Sequence, residues 1–350
     1  MAAGKSLRGK NVPRRKQFSI NGEKVAPGER KTIMLPIAEL YDFTALEIPV
    51  HVVRGQKEGP VLFLSAALHG DEINGVEIIR EILKSELLSE IKGTIIAIPV
   101  VNIFGFHNKS RYLPDRRDLN RSFPGSKHGS LAARIAHLFM KEIVSKCTHG
   151  IDFHTGAIHR SNFPQIRASL DNQATKDFAT SFNAPIMIDS HMRDGSLREA
   201  ARKKKVNILL FEGGQALRFE NDVISMGVRG TLAAMSNIGM IDEEKVETTK
   251  YDSIVAQDSF WLRAPNSGTV RMSVKLGSYV KKGQTVALIL DLLGDVEIEV
   301  TTPEDGIVIG VNNLPLVTLG EAIIHLATVE RLNKRELKKR GFIYPQADID

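Results

Sequence analysis

Six short apolar runs, each bounded by turn residues or by a helical pattern, constrain the fold of this 350-residue chain more than any other feature. Ile48–Val53, Val61–Ala67, Thr94–Val100, Ile151–Phe153, Ile186–Ile188 and Asn207–Phe211 are rich in Val, Ile and Leu without regular polar alternation. An alternating strand buries one face, whereas a continuously apolar one is covered on both. Between these runs, Gly75–Leu88, Ser130–Lys146, Asp171–Phe182 and Asn221–Ser236 carry apolar residues at helical spacing. The succession predicts an α/β fold up to about residue 245, a mixed, mostly parallel sheet flanked by helices.

Beyond Tyr251 the character changes to short strands punctuated by glycine, which predicts a small all-β barrel-sandwich unit. The stretch repeats itself. Ala264-Pro265-Asn266-Ser267-Gly268-Thr269-Val270 returns as Thr302-Pro303-Glu304-Asp305-Gly306-Ile307-Val308, and Val280-Lys281-Lys282-Gly283-Gln284 is echoed by Val317-Thr318-Leu319-Gly320-Glu321. Over roughly residues 260 to 328 the pattern resembles the two-fold hammerhead of biotinyl and lipoyl carrier domains. The position at which carriers present their modified lysine falls at or beside Asp295, within Leu293-Gly294-Asp295-Val296, and no lysine stands there. The unit is therefore read as structural or substrate-gating, carrying neither biotin nor lipoate. The organisation expected is a basic arm over 1–18, an α/β domain over 19–250, the barrel over 251–330 and a tail over 331–350.

The formal charge of +6 raises the question of a nucleic-acid partner. Lys5, Arg8, Lys10, Arg14, Arg15 and Lys16, with no acid among them, equal the whole excess, so the rest of the chain is neutral overall. Such an arm reads as a solvated tail, and no specific nucleic-acid motif accompanies it. No apolar run approaches the roughly 20 residues of a membrane helix. The opening basic stretch lacks the apolar segment of a secretory signal, and the lone Cys147 cannot form an internal disulfide. These features point to the cytoplasm, with no membrane partner, and leave room for a homo-oligomer.

The chemistry concentrates where strands end. In Ala66-Ala67-Leu68-His69-Gly70-Asp71-Glu72-Ile73-Asn74-Gly75 a strand gives way to a helix, and a tight turn lets His69 and Glu72 converge. Zinc takes imidazole nitrogen and carboxylate oxygen at about 2.0–2.2 Å, and a catalytic site needs a third ligand and an open position. Taken alone, the pair could equally be a turn cap, with Asp71 capping the helix. His154, in Gly150-Ile151-Asp152-Phe153-His154-Thr155-Gly156, also follows an apolar strand, and ligands in open α/β sheets gather at carboxyl ends of strands. Asp152 is placed to orient an imidazole. A third strand runs into Glu212-Gly213-Gly214, where a carboxylate either caps a turn in solvent or faces the metal edge. A metal hydrolase needs a base within reach of its activated water, and Glu212 is assigned that role.

A long irregular loop runs from Asn108 to Gly125 and carries Arg111, Arg116, Arg117 and Arg121. Loops of that length are functional or disordered, and arginine's planar fork suits carboxylates and a developing oxyanion, although a charge run can also be a solvated face. Of the other histidines, His159 is close enough to His154 to line the mouth of a site. His51, His137, His149 and His325 read as structural, and His107, His128 and His191 as loop residues.

Four segments in this order resemble the succinylglutamate desuccinylase and aspartoacylase family, which shares its fold with the zinc carboxypeptidases: His-Gly-Asp-Glu at 69–72, Asp-Leu-Asn-Arg at 118–121, Asp-Phe-His-Thr-Gly at 152–156 and Phe-Glu-Gly-Gly at 211–214. The resemblance covers roughly residues 60 to 240. It implies one zinc per chain on His69, Glu72 and His154, with Glu212 as base and then proton donor. It further implies that Asn120 and Arg121 grip a substrate carboxylate, that Arg111 polarises the scissile carbonyl, and that Arg198 is a second carboxylate clamp. The expected activity is amide cleavage in a small N-acyl amino acid or related carboxylate-bearing substrate. A metallocarboxypeptidase acting on peptide C-termini or glutamyl peptides, and a metal-containing binding protein without activity, are the competing readings.

Overall fold

The computed structural model describes residues 17–190, 193–246, 253–330, 332 and 337. Most of the expected basic arm, residues 1–16, and nearly all of the 331–350 tail lie outside them.

The strands are β1 (Phe18–Ile20), β2 (Glu23–Val25), β3 (Arg30–Glu39), β4 (Ala45–Arg54), β5 (Lys57–Ala66), β6 (Lys92–Ile98), β7 (His149–Gly156), β8 (Arg160–Ala168), β9 (Ile186–Asp189) and β10 (Asn207–Gln215). The C-terminal part adds β11 (Ile254–Ala256), β12 (Asp258–Arg263), β13 (Gly268–Met272), β14 (Tyr279–Val280), β15 (Thr285–Leu290), β16 (Glu297–Thr301), β17 (Gly306–Asn312), β18 (Leu316–Val317) and β19 (Ala322–Thr328). The helices are α1 (Asn74–Lys84), α2 (Ile103–His107), α3 (Leu131–Glu142), α4 (Gln173–Phe182), α5 (Leu197–Lys203) and α6 (Asn221–Asn237).

Among the described residues thirteen strands form one sheet, whose main path runs β12-β19-β17-β8-β10-β7-β5-β6-β4-β3. Its centre, β6-β5-β7-β10, is parallel, the rest of that path is antiparallel, and β9 and β11 branch from β8 in parallel pairing. This is the mixed α/β fold that the apolar runs predict. In β5, Leu62, Leu64 and Ala66 face a core shared with Ile78 and Ile82 of α1, Phe178 of α4 and Met235 of α6. Phe63 faces the opposite core, with Ile135 and Phe139 of α3 and Leu197 of α5. Burial of both faces explains why the run is apolar apart from Ser65, whose hydroxyl is satisfied by Asp152 at 2.7 Å, each large apolar side chain contributing roughly 1.5–3 kcal/mol. Phe63 meets Phe139 edge-on at 5.9 Å.

Side-chain caps fix the helix starts. Ser130 Oγ accepts from Ala133 N at 3.3 Å, Asn172 Oδ1 from Thr175 N at 3.0 Å, and Ser196 Oγ from Glu199 N at 3.2 Å. The helix expected over Gly75–Leu88 ends earlier, at Lys84, because Ser85 begins a separate 3-10 turn.

The C-terminal strands divide between two sheets. β13, β15, β16 and β18 form a four-stranded antiparallel sheet, while β12, β17 and β19 extend the large sheet through antiparallel pairing of β17 with β8. Val280, Val286, Ile289, Ile323 and Leu326 make a core of their own. A second cluster joins Ile186 and Ile188 of β9 to Ile254 of β11, Tyr279 and Ile307. The hairpin between β15 and β16 holds Asp295, with Leu292 and Leu293 exposed beside it. No helix among the described residues is long and apolar enough to cross a membrane.

Candidate functional site

At the end of β5 the chain turns sharply, with Ala67 in the left-handed region at φ 47°. Glu72 N donates to His69 O at 3.1 Å, closing a turn that points both side chains the same way. Gly70 sits hard against the backbone of α2, where a Cβ would come within 2.0 Å of Gly105 C. His154 arrives from β7, the neighbouring strand.

The three side chains converge. His69 Nδ1 is 2.8 Å from Glu72 Oε1, His154 Nδ1 is 2.7 Å from Glu72 Oε2, and the two Nδ1 atoms are 3.2 Å apart. One ligand atom from each residue lies within 4.8 Å of the others, and the residues are 3%, 2% and 4% exposed. The outer nitrogens face carboxylates: His154 Nε2 is 2.8 Å from Asp152 Oδ2, and His69 Nε2 is 3.1 Å from Asp118 Oδ1. Ser65 Oγ donates to the other oxygen of Asp152 at 2.7 Å. Acceptors on the outside draw the ring protons to Nε2, which leaves both Nδ1 lone pairs and the Glu72 carboxylate facing one point. Burial alone would raise the Glu72 carboxyl, but His69 and His154 hold it well below its ordinary value. Burial alone would lower His154, but Asp152 and Glu72 hold it well above. The field there favours positive charge, and the donor set of two imidazoles and a carboxylate fits a divalent metal ion such as zinc.

Glu212 lies one strand further along, paired with His154 in the parallel register of β10 and β7. Asn162 Nδ2 of β8 donates to its Oε2 at 3.0 Å, and Arg167 Nε is 3.3 Å from the same oxygen.

The pocket above the cluster has a volume of about 230 Å³ and is strongly basic. Arg111, Arg121, Arg160, Arg167, Arg193 and Arg198 line it against Glu72, Asp152 and Glu212. Arg111 donates to Glu72 Oε1 and to Asp118 Oδ2, both at 3.0 Å. Burial would lower it, but these carboxylates hold it above its ordinary value. Asn120 lines the wall while its Oδ1 accepts from Leu197 N at 2.9 Å, fixing the start of α5, and Arg121 Nη1 donates to Asn120 O at 2.6 Å. Arg198 Nη2 donates to Ser190 Oγ at 3.1 Å. Burial, reinforced by Arg167 and Arg193, pushes Arg198 down to about 10.

The structure thus brings His69, Glu72, His154, Glu212, Arg111, Asn120, Arg121 and Arg198 to one pocket, together with residues for which the sequence predicts no place there. Asp118, in the Asp-Leu-Asn-Arg segment, is not itself a lining residue but holds two that are, His69 and Arg111, and its place in that segment is the signal the sequence offers. Trp261 of β12 and His325 of β19 close one side, stacked at 4.5 Å and 11°, with Arg160 over the indole at 5.0 Å. Burial and then Arg167, Arg193 and Arg160 push His325 down to about 3, so it is neutral at ordinary pH. The structural role that the sequence predicts for His325 agrees with its burial and its contact with Ser259 Oγ at 3.2 Å, and the ring lines the pocket as well. His159 is the reverse case: it lies exposed on the turn between β7 and β8, at φ 63°, outside the pocket lining. Arg116 and Arg117 also face solvent, and His191 lies outside the described residues.

The family model for the succinylglutamate desuccinylase/aspartoacylase catalytic domain matches residues 58–238, more than half of the chain. The chain belongs to this family. A curated member of similar sequence, the N-alpha-acetyl-L-2,4-diaminobutyric acid deacetylase of Halomonas elongata, is 25% identical over 303 residues, covering 81% of this chain and 86% of that protein. The product-bound ectoine utilization protein EutE (DoeB) of Ruegeria pomeroyi superposes with a TM-score of 0.78 at 23% identity, covering 90% of this chain and 100% of that one. A succinylglutamate desuccinylase/aspartoacylase from Rhodobacter sphaeroides gives 0.77 at 22% identity, with coverage of 90% and 100%. Both structures share the fold over nine-tenths of this chain.

Proposed function

We propose that this chain is a zinc-dependent amidohydrolase that deacylates a small N-acyl amino acid or a related carboxylate-bearing compound. In this reading His69, Glu72 and His154 hold one metal ion, and Glu212 is the general base. The observation that carries it is the convergence of two imidazole nitrogens and a carboxylate oxygen within 4.8 Å, one strand away from a second carboxylate. Zinc bound to such a set lowers the pKa of water towards about 7 and polarises a carbonyl.

The chain's own groups supply the rest. Asp152 and Asp118 fix the two rings so that Nδ1 faces inward. Glu212 accepts a proton from the attacking water and returns it to the leaving nitrogen, so the C–N bond breaks and a carboxylate and an amine result. Arg111 steadies the negative charge that develops on the carbonyl oxygen. Asn120, Arg121 and Arg198 engage the substrate carboxylate. The name of the Halomonas relative supports an N-acyl amino acid as substrate, and a pocket of about 230 Å³ walled by Trp261 and His325 supports an amino-acid-sized molecule over a polypeptide C-terminus.

Two measurements test this together: the metal content of the purified chain, and hydrolysis of N-acetyl, N-succinyl and glutamyl amides with and without a chelator. About one zinc per chain and chelator-sensitive release of a free amine are expected. Release of C-terminal residues from peptides instead would favour the carboxypeptidase reading, and metal without hydrolysis a binding protein.

A further inference from the structure

β8 does not run straight past Glu212. Its register against β10 pairs Glu212 with Gln165 and then Gly214 with Asn162, so three steps along β8 answer two along β10. The surplus is a β-bulge in the stretch Phe163-Pro164, a place where proline's missing N–H is tolerated. In an unbroken strand, residues an odd number apart point to opposite faces. Gln165 and Arg167 would then share a face, and Asn162 would point away from them.

The bulge reverses that, and all three side chains meet one atom. Asn162 Nδ2 donates to Glu212 Oε2 at 3.0 Å, Gln165 Nε2 reaches it at 3.5 Å, and Arg167 Nε stands 3.3 Å away. Among the described residues no side-chain hydrogen bond reaches Oε1. Asn162 and Gln165 are themselves buried, at 9% and 0% exposed, so neither is held there by solvent.

We infer that the bulge in β8 is a positioning device for the base: it anchors Glu212 through Oε2 and leaves Oε1 as the oxygen that takes the proton from water and passes it to the leaving nitrogen. The inference rests on the reading of Glu212 as the base. Asn162 and Gln165 are positioning residues in this account, acting through Glu212 rather than on substrate. A carboxylate gripped on one oxygen loses the freedom to rotate out of line, and misplacement of a reacting group by about 1 Å costs on the order of 100-fold.

The C-terminal strands take part. Gly310 of β17 pairs with Asn162, and a Cβ at that glycine would come within 3.0 Å of Asn162 Oδ1 and 3.1 Å of His325 Cβ. Glycine there leaves the amide room to turn its Nδ2 towards Glu212. The β-unit thereby forms the back wall of the device that orients the base.

The test is steady-state kinetics on the metal-loaded full chain, using whichever N-acetyl or N-succinyl amino acid of the panel above turns over fastest. Asn162→Ala and the isosteric Asn162→Asp, which swaps a donor for an acceptor, are each made in the native and in the Glu212→Gln background. In the native background Asn162→Ala should lower kcat about 10- to 100-fold with KM changed less than about twofold, and Asn162→Asp should lower it further. With the base already removed, neither change should cost more than about twofold. A merely structural amide would lower activity equally in both backgrounds, and that result overturns the inference, as does a kcat within about twofold of native for both variants. Should the alanine variant not fold, the isosteric one carries the same comparison. Loss of activity in Glu212→Gln beside unaffected Asn162 variants sinks the inference alone, whereas a fully active Glu212→Gln sinks the base and the inference together.

Discussion

The carboxylate of Asp152 stands 2.8 Å from Nε2 of His154, on the side of the ring opposite Glu72, whose Oε2 is 2.7 Å from Nδ1. One imidazole is thus held between two carboxylates: the outer fixes tautomer and orientation, and the inner faces the point at which the proposed metal ion would sit. Removing the outer one leaves the ligand present but poorly aimed. Asp152→Ala should weaken metal affinity about 10- to 100-fold, read by competition with a chromogenic chelator. Affinity equal to the native chain would show that the inner shell alone sets the ring.

Glu212→Gln keeps shape and hydrogen-bonding capacity but cannot take a proton. The rate should fall about 10²- to 10⁴-fold while metal content stays at one per chain. Full activity in the glutamine variant would transfer the role of base to another group.

The sequence made the centre of this molecule legible because the physics there is local. Continuous apolar runs report double burial, and the convergence of His69, Glu72 and His154 at strand ends follows from where parallel strands point. What escaped the reading depends on contacts between distant segments. β8 was not anticipated, since it is polar, carries Pro164 and finds its partners in β10 and in β17, about 150 residues away. Its donors to Glu212 went unseen for the same reason, and so did the stacking of Trp261 on His325 over the pocket. Asp118 reaches His69 from an irregular loop 49 residues further along the chain, beyond α1, β6 and α2, and no periodicity records such a contact.

The turn bearing His69 and Glu72 depends on how closely it docks. A Cβ at Gly70 would come within 2.0 Å of Gly105 C and 2.1 Å of Phe106 N, backbone atoms that have no rotamer to yield. Gly70→Ala must displace the turn, at a cost of about 1–3 kcal/mol of overpacking. We expect metal affinity and kcat to fall together while the far-ultraviolet circular dichroism stays native. A variant that binds metal as tightly as the native chain would mean that the turn and α2 can move apart without consequence for the ligands.

Away from the site, Glu142 at the end of α3 ties down the first hairpin. Its Oε2 accepts from Asn21 N at 2.9 Å and from Lys146 Nζ at 2.8 Å, and Lys146 also donates to Ser19 O at 2.8 Å. Burial pushes the carboxyl up, but Lys146, the Asn21 N–H and Lys141 outweigh it and hold it down to about 2. An unfolded glutamate titrates near about 4.3, so the folded state binds this proton less readily than the unfolded one. The stabilisation is therefore complete above roughly pH 5 and disappears as pH falls from there towards about 2. Glu142→Gln should lower the thermal midpoint by a few degrees at pH 7, and the gap from the native chain should narrow steadily as the buffer is taken to pH 3.5. A gap of constant size across that range would mean that the ionisation of Glu142 contributes nothing, and that the variant loses stability for a reason other than charge.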